Sequence, residues 1–470
     1  MWDRPTVEPR ISVPHRCSKE HSVKKRLFLL IACLTLTFML VPNAGKAGSS
    51  GDDDFRLSPL LRNCDEQPCE AIARGFHNFF DRRLEGLNAN GRSCADCHTA
   101  VDHFQLSPAV VEFRFQLLQW RRRWNPKADD PLFRPIDADD FRTNGNNASD
   151  FSNLRQNGLI RITFDLPSNM KLIDPVTNQP SAETSVDVWR MVPSVFNVKL
   201  TGPDGQNPWP RGPNPTGGYQ LDGRRGTLQE QALGALMAHA QIQNAPSQQF
   251  LDDLTTFQNV LFSSHGVRKL SEAVDAGTVP LPDPDPELNE LEQQGKVIFI
   301  RACAQCHGGS GQSTASVPRR FHDINTQCPR KVDTASPPRW NFKPCAPGLT
   351  RNARTYQITL VDGTTARRTS SDPGRALLTG FVGGAPPTDD WNKFDVPGLH
   401  AIAETAPYFH NNSAATLEDV VDHYIEMFKF VQANAAPGVV PPISTTDGVH
   451  FDRAPTPEER TALVAYLKKL

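Results

Sequence analysis

The chain has 470 residues, enough for two or three domains at roughly 150 residues each. Its 38% hydrophobic and 22% charged residues describe globular material, and 40 prolines point to long Pro-rich connections rather than coiled coil or disorder. Only one long apolar run is present, which excludes a polytopic membrane protein.

That run, residues 27–41, follows Lys24-Lys25-Arg26 and precedes Asn43-Ala44-Gly45-Lys46-Ala47. A basic start, an apolar stretch and a small-residue exit predict a secretory signal over residues 1–47, removed near Ala47. An uncleaved anchor is the alternative, but the run falls short of the roughly 20 residues that span a bilayer. The expected mature protein is periplasmic or otherwise exported, with no integral membrane span after cleavage. Eight of the 50 Lys/Arg and three of the 52 Asp/Glu lie in residues 1–47, so the remainder carries 42 against 49, a net charge of −7. Such a protein has no electrostatic reason to bind nucleic acid or an anionic membrane surface.

Past the leader, Ile72, Phe76, Phe79, Phe80 and Leu84 recur at helical spacing and predict a helix over 71–84. Residues 127–187 are polar, turn-rich and without clear period, and read as a long ordered loop region or insertion. Residues 202–220 are Gly/Pro loop, and helical patterns resume at about 227–240 and 247–261. Pro280, Pro282, Pro284 and Pro286 alternate in an extended linker placed at 276–287. A helix is predicted over 287–302. Thr416 with Asp419 opens another to about Phe430, and Thr456, Pro457 and Glu459 open a last one. The stripe Leu463, Val464, Leu467, Leu470 of that last helix suits it to cover a cofactor.

Of ten cysteines, Cys17 and Cys33 lie in the leader. The other eight face an oxidising compartment, where disulfides persist. Four of them form Cys94-Ala95-Asp96-Cys97-His98 and Cys303-Ala304-Gln305-Cys306-His307. C-x-x-C-H is the attachment pattern of c-type haem. Two thiols one helical turn apart form thioethers with the two vinyl groups, and the adjacent imidazole reaches the iron. A Cys₄ zinc site would place its pairs roughly 15–20 residues apart, and these lie far apart in the chain. A redox C-x-x-C does not explain why each motif ends in His. Two covalently bound haem c groups are therefore expected. Cys64 with Cys69, and Cys328 with Cys345, are close enough for local disulfides, with pairing across domains as the alternative. The expected fold is mainly α, with two cytochrome c-like haem domains, 48–275 (containing the 127–187 insertion) and 288–470, long loops and little β.

Two c-type domains of this spacing resemble the di-haem bacterial cytochrome c peroxidase and MauG superfamily. The resemblance covers most of residues 71–470. It rests on Gly75, Asp81 and Leu84 before the first motif and Phe104 after it, and on Arg190-Met191-Val192-Pro193-Ser194-Val195-Phe196-Asn197. It rests also on Asp222-Gly223-Arg224 followed by Leu228-Gln229-Glu230-Gln231-Ala232, and on Thr405-Ala406-Pro407-Tyr408-Phe409-His410 followed by Thr416-Leu417-Glu418-Asp419.

The resemblance implies Arg190 as a cofactor-binding residue and Gln231 as a distal-pocket residue. The family's acid–base Glu falls on Gln241, whose amide cannot take a proton at neutral pH. His239 is the candidate replacement, against the plainer reading of a surface or haem-edge histidine. The Trp that precedes Asp-Gly-Arg in the family is Leu221 here. The family's switchable distal His falls near Glu183, which leaves the first haem open on its distal side. His103 is an alternative ligand that sits close to the proximal motif. For the second haem the axial ligand falls on Tyr424, with Met427 or His423 as alternatives, and His410 is expected between the haems. An interdomain Ca²⁺ is implied but has no separable motif.

The resulting expectation is an oxidoreductase with peroxide or dioxygen chemistry at the first haem and electron relay through the second, partnered by a small periplasmic electron donor or acceptor protein. An electron-transfer cytochrome without substrate chemistry is one alternative. A haem-dependent oxygenase similar to the rubber oxygenases is another.

Overall fold

The computed structural model describes residues 69–138, 151–201, 218–284, 287–304, 306–309, 321–383, 389–434 and 454–470. The leader with Cys17 and Cys33, Cys64, and Gln305 lie outside the described residues, as does most of the 202–220 loop.

The chain enters through helix α1 (Cys69–Phe80), whose Ala71, Ile72, Gly75 and Phe79 form one buried face. The helix stops at Phe80, four residues before the predicted end. Leu84 adopts a left-handed φ of 43° yet is still buried, so its apolar spacing served the core and not the helix. Helix α2 (Pro108–Arg122) is capped by the Ser107 hydroxyl, with Pro108 at its first position. A short helix α3 (Ser152–Asn157) follows, then α4 (Leu228–Ala235), α5 (Gln248–Asn259) and α6 (His265–Asp275). Beyond the prolines come α7 (Glu290–Ala302), α8 (Leu417–Asn434) and α9 (Pro457–Leu467). Asn289 with Glu292 and Thr456 with Glu459 form the capping boxes of α7 and α9.

Two helix crossings are built alike. At Gly75 in α1, a Cβ would lie 1.9 Å from the Asp253 carbonyl oxygen of α5 and 2.7 Å from Phe257 Cβ. At Gly295 in α7, a Cβ would lie 2.0 Å from the Ala462 carbonyl oxygen of α9 and 2.7 Å from Tyr466 Cβ. Only glycine lets two helix backbones approach this closely. One turn further on, Phe79 meets Phe257 edge-on at 5.3 Å, and Phe299 meets Tyr466 edge-on at 5.4 Å. Each crossing therefore sets a glycine and an aromatic four residues on against a backbone carbonyl and an aromatic four residues on in the facing helix, and the glycine-bearing helix precedes one C-x-x-C-H motif, α7 directly and α1 after a short connection.

The chain is mostly helical with few short strands, which among the described residues form three small antiparallel sheets. Strands β1 (Leu159–Asp165) and β3 (Ser185–Met191) pair, β2 (Met170–Leu172) joins β5 (Arg354–Thr359) and β6 (Thr365–Ser370), and β4 (Phe321–His322) joins β7 (Phe394–Asp395). Residues 127–187, read as a loop region, thus hold β1, β2 and the start of β3. Their strand character comes from long-range pairing. Ile160, Phe164, Val186 and Val188 are buried across a twenty-residue connection, and β2 takes its partner from far along the chain.

Sequence on either side of the Pro-rich linker is joined into one compact unit, residues 63–470. Besides β2–β5, Gln105 donates to the Ala406 carbonyl at 3.0 Å, the Met191 amide donates to the His410 carbonyl at 2.7 Å, and Asn153 and Asn352 exchange two hydrogen bonds. Cys328 and Cys345 form a disulfide. Cys69 is also disulfide-bonded, and its expected partner Cys64 lies outside the described residues.

Candidate functional site

The two C-x-x-C-H segments fold into the same tight turn. The His98 amide donates to the Cys94 carbonyl at 2.9 Å, and the His307 amide to the Cys303 carbonyl at 2.8 Å. This turn brings both cysteines of a motif to one side. Cys94, Cys97, Cys303 and Cys306 are unbonded, unlike the cysteines of the disulfides, and each keeps some accessible surface. Burial pushes the Cys94, Cys97 and Cys303 thiols up to about 12 and Cys306 up to about 11. Such thiols stay protonated at neutral pH.

The imidazoles are anchored in the same way. His98 Nδ1 lies 3.0 Å from the Phe104 carbonyl oxygen, and His307 Nδ1 lies 3.2 Å from the Pro397 carbonyl oxygen. A carbonyl only accepts, so Nδ1 donates and the lone pair resides on Nε2. Axial haem histidines need this tautomer, with a second-sphere acceptor fixing the ring. Two protonated thiols and one Nε2 lone pair suit covalent haem, as the donor set of each motif. Among the described residues no group of three or more His, Cys, Asp or Glu gathers around one point as a metal site. The haem geometry does not ask for that, since thiols meet the ring edge and the imidazole its centre.

The surroundings differ. In the first motif Asp96 is buried and gripped by Arg82 at 2.6 Å and by Arg114 of α2 at 3.1 Å. Burial opposes its ionisation, but the two guanidiniums prevail and hold it below the usual carboxylate range. Arg92 is buried two residues before Cys94 and pairs with buried Asp137, which also holds His239 at 2.8 Å. Phe79 and Phe80 pack with Phe104, and Phe79 lies 6.2 Å from the His98 ring. In the second motif the neighbours are apolar and aromatic. Cys303 and Tyr424 pack against Ala302 and Phe428, and Cys306 Sγ lies 3.8 Å from His322 Nε2.

The sequence candidates fall as follows. His239 stands in a widened π-helical turn (Leu236–Ala240) after α4, close enough to His98 for their charges to interact. Gln231 is half-buried on α4, two turns before that segment ends. Gln241 is exposed at φ 52° and meets Asn90 at 3.2 Å. Tyr424 lies on α8, where burial and then Cys306 and Cys303 raise its pKa. Met427 is half-buried on the same helix. His423 donates Nε2–H to the Ile324 carbonyl at 2.6 Å. His410 is buried, stacks on Phe394 at 3.9 Å and contacts the Thr326 hydroxyl at 3.2 Å, and burial pushes its pKa down to about 4. Glu183 is an exposed partner of Arg354 at 2.6 Å, and His103 pairs with Glu404 at 3.1 Å.

Arg190 is wholly buried. It chelates Asp372 at 2.6 and 2.9 Å and pairs with Asp222, which also takes Arg224 at 2.6 Å. Two guanidiniums and two carboxylates thus form a neutral buried cluster, which unites sequence from before and after the linker. Sequence reading singled out Arg190 and Asp222 but missed Asp372, Arg92 and Asp137. None of the three has a local signal, since each is a partner supplied by folding.

No family model matches the chain, and no curated protein matches it. Solved structures similar to it include a MauG-like protein associated with microbial copper homeostasis, at 19% identity over 85% of this chain and 88% of that one, with a TM-score of 0.39. The hydrazine synthase of Kuenenia stuttgartiensis is similar at 15% identity over 92% and 98%, with a TM-score of 0.35. The diheme peroxidase BthA of Burkholderia thailandensis is similar at 17% identity over 85% and 86%, with a TM-score of 0.37. At these values the likenesses are too distant to assign a function.

Proposed function

We propose that the chain is an exported di-haem c-type oxidoreductase, with haem domains on either side of residues 276–287, peroxide or dioxygen chemistry at the first haem and electron relay through the second. The observation that carries this reading is the duplicated frame. A glycine-centred helix crossing leads twice into a turn with two unbonded thiols and an imidazole whose Nδ1 is tied to a carbonyl.

Cys94, Cys97 and His98 would hold the first haem, and Cys303, Cys306 and His307 the second. When bound, the haems supply redox-active iron and a path for single electrons. The chain's own residues fix the axial rings through Phe104 and Pro397, enclose the second centre with Tyr424 and Phe428, and place charge around the first. Tyr424, with Met427 as the alternative, is the proposed further ligand at the second centre. A small electron-carrier protein is the proposed partner. A Ca²⁺ between the halves remains part of the resemblance alone.

The test is expression in an oxidising compartment with haem-attachment machinery, followed by pyridine haemochrome assay and intact mass. Two haems per chain are expected, and one after Cys97→Ala or Cys306→Ala. A chain that takes up no covalent haem sinks the proposal. Low-temperature EPR of the oxidised protein then separates enzyme from carrier. One high-spin ferric signal beside one low-spin signal supports substrate chemistry. Two low-spin signals that persist on half-reduction favour the pure electron-transfer reading, to which the exposed Gln241 and the Leu221 substitution also point.

A further inference from the structure

We propose that Asp137, fixed by Arg92, positions His239 as the proton-transfer residue of the first centre. This deepens the oxidoreductase reading and rests on a haem being held by Cys94, Cys97 and His98. Reduction of hydrogen peroxide to two waters takes two electrons and two protons. The O–O bond breaks, and the oxygen that leaves needs a proton it does not carry. A one-electron donor protein supplies the electrons, one at a time. Some side chain must collect a proton from one oxygen and hand it to the other. Gln241 is exposed, turned to Asn90, and has no proton to exchange.

His239 has what the task requires. Its Nδ1 lies 2.8 Å from Asp137 Oδ2. Burial opposes ionisation of Asp137, but the His239 hydrogen bond and the Arg92 charge hold it below the usual carboxylate range. A carboxylate accepts, so Nδ1 keeps its hydrogen and Nε2 is the atom that takes and gives a proton. Arg92 in turn is fixed by the carbonyls of Pro131 at 2.9 Å, Leu132 at 3.0 Å and His239 itself at 3.3 Å. Asn90 adds a second hydrogen bond to the His239 carbonyl at 2.9 Å.

The pair is not simply a packed core contact. The Asp137 side chain is 4% exposed while the His239 ring keeps 24%. By contrast His410 and His423 are buried, each with one ring nitrogen lacking a partner. The π-helical widening at Leu236–Ala240, a local departure common at functional positions, sets the ring in place. The charges of Arg92 and Asp137 reach Cys97, and that of His239 reaches His98. Among the described residues, the titratable and charged groups around the pair are Arg92, Cys97 and His98, with Asp96 beyond Arg92.

The experiment uses the full haem-loaded chain as wild type, His239→Gln and Asp137→Asn. Haem content is measured first. The rate of reaction with hydrogen peroxide and the rate of cyanide binding to the ferric protein are then followed across pH 5–9. Cyanide binding reads the base without turnover, because HCN must give up its proton on binding. His239→Gln is expected to keep two haems, slow both rates about 10²–10³-fold and remove one protonation step from both profiles. Asp137→Asn is expected to slow both by about tenfold or more, and its less exposed position makes His239→Gln the deciding variant. A His239→Gln protein with full haem and unchanged rates and profiles overturns the inference and leaves the oxidoreductase reading standing. A wild type without haem at the first motif overturns both.

Discussion

Gly75→Ala and Gly295→Ala test the duplicated frame directly. An added Cβ would fall 1.9 or 2.0 Å from a carbonyl oxygen of the facing helix, whereas real Cβ atoms stay beyond 3.0 Å. Each pair of helices must therefore separate by more than 1 Å. The opposing atom is backbone, so no side chain can rotate away. Such overpacking costs roughly 1–3 kcal/mol. It also loosens the Phe79–Phe257 and Phe299–Tyr466 contacts one turn on, which puts the cost at the upper end. Replacing a helical glycine by alanine returns about 1 kcal/mol through backbone entropy. A net loss of about 2 kcal/mol follows for each variant. Gly348→Ala is the control, since its Cβ would meet nothing nearer than 3.5 Å, and it should be neutral or stabilising by about 0.4–1 kcal/mol. Denaturant midpoints of the haem-loaded variants, at unchanged slope, read these differences. If Gly75→Ala or Gly295→Ala matches the control, the helices do not cross at glycine contact and the repeat loses its physical basis.

Asp372→Asn should destabilise by about 3–5 kcal/mol, because it leaves Arg190 and Arg224 sharing one buried carboxylate. Asp422→Asn, which breaks a solvent-exposed pair with Arg460, should cost no more than about 1 kcal/mol by the same denaturant midpoints. His410 carries a pKa of about 4, pushed down from 6.5 by burial, so the unfolded chain binds its proton first as pH falls. Stability is complete above pH 6.5 and declines between pH 6.5 and 4. The His410 share of the loss at pH 5 should be about 2 kcal/mol; buried His423 adds its own in the same window, so His410→Asn should decline less steeply rather than not at all, and equal pH slopes for the two proteins would contradict it. Removing the Cys328–Cys345 disulfide by paired alanine substitution opens a 17-residue loop and should lower stability by about 3 kcal/mol, read as a lowered melting temperature.

The helices that were legible gave local signals: apolar spacing along α1 and the Thr456–Glu459 box of α9 act within one or two turns. Helix α2 with its Ser107 cap, α3 and α6 were not anticipated from the sequence. The cysteine motifs were visible because each lies within a single turn of the chain. The strands were not. β2 is three residues long and becomes a strand only through β5, nearly two hundred residues away. Asp137 was equally hidden. It stands in a segment without period, and only the folded chain shows that its carboxylate meets Arg92 and His239. His239 itself was visible, but two residues from Gln241 on a regular helix it would point elsewhere. The π-turn and the left-handed Gln241 break that geometry.

The two centres share a frame and differ in what surrounds the imidazole, and the difference argues for a division of labour. Around His98 stand Asp96, Arg114, Arg92, Asp137 and His239, a set that fixes charge and can move a proton. Among the described residues, around the Cys303–His307 turn stand Tyr424, Phe428 and Phe299, with Tyr466 behind and the single imidazole of His322 beside Cys306, a mostly apolar set that supplies little exchangeable charge. Oxygen-bond chemistry needs protons delivered at a fixed place, whereas electron storage needs a dry, rigid site with small reorganisation. On the proposed reading, the polar surroundings of the first motif suit the former and the mostly aromatic surroundings of the second the latter. The buried Arg190–Asp222–Asp372–Arg224 cluster joins the halves that carry them. Because it is electrically neutral and almost wholly buried, with Arg224 alone partly exposed, it can lock their spacing without adding a net charge to either centre.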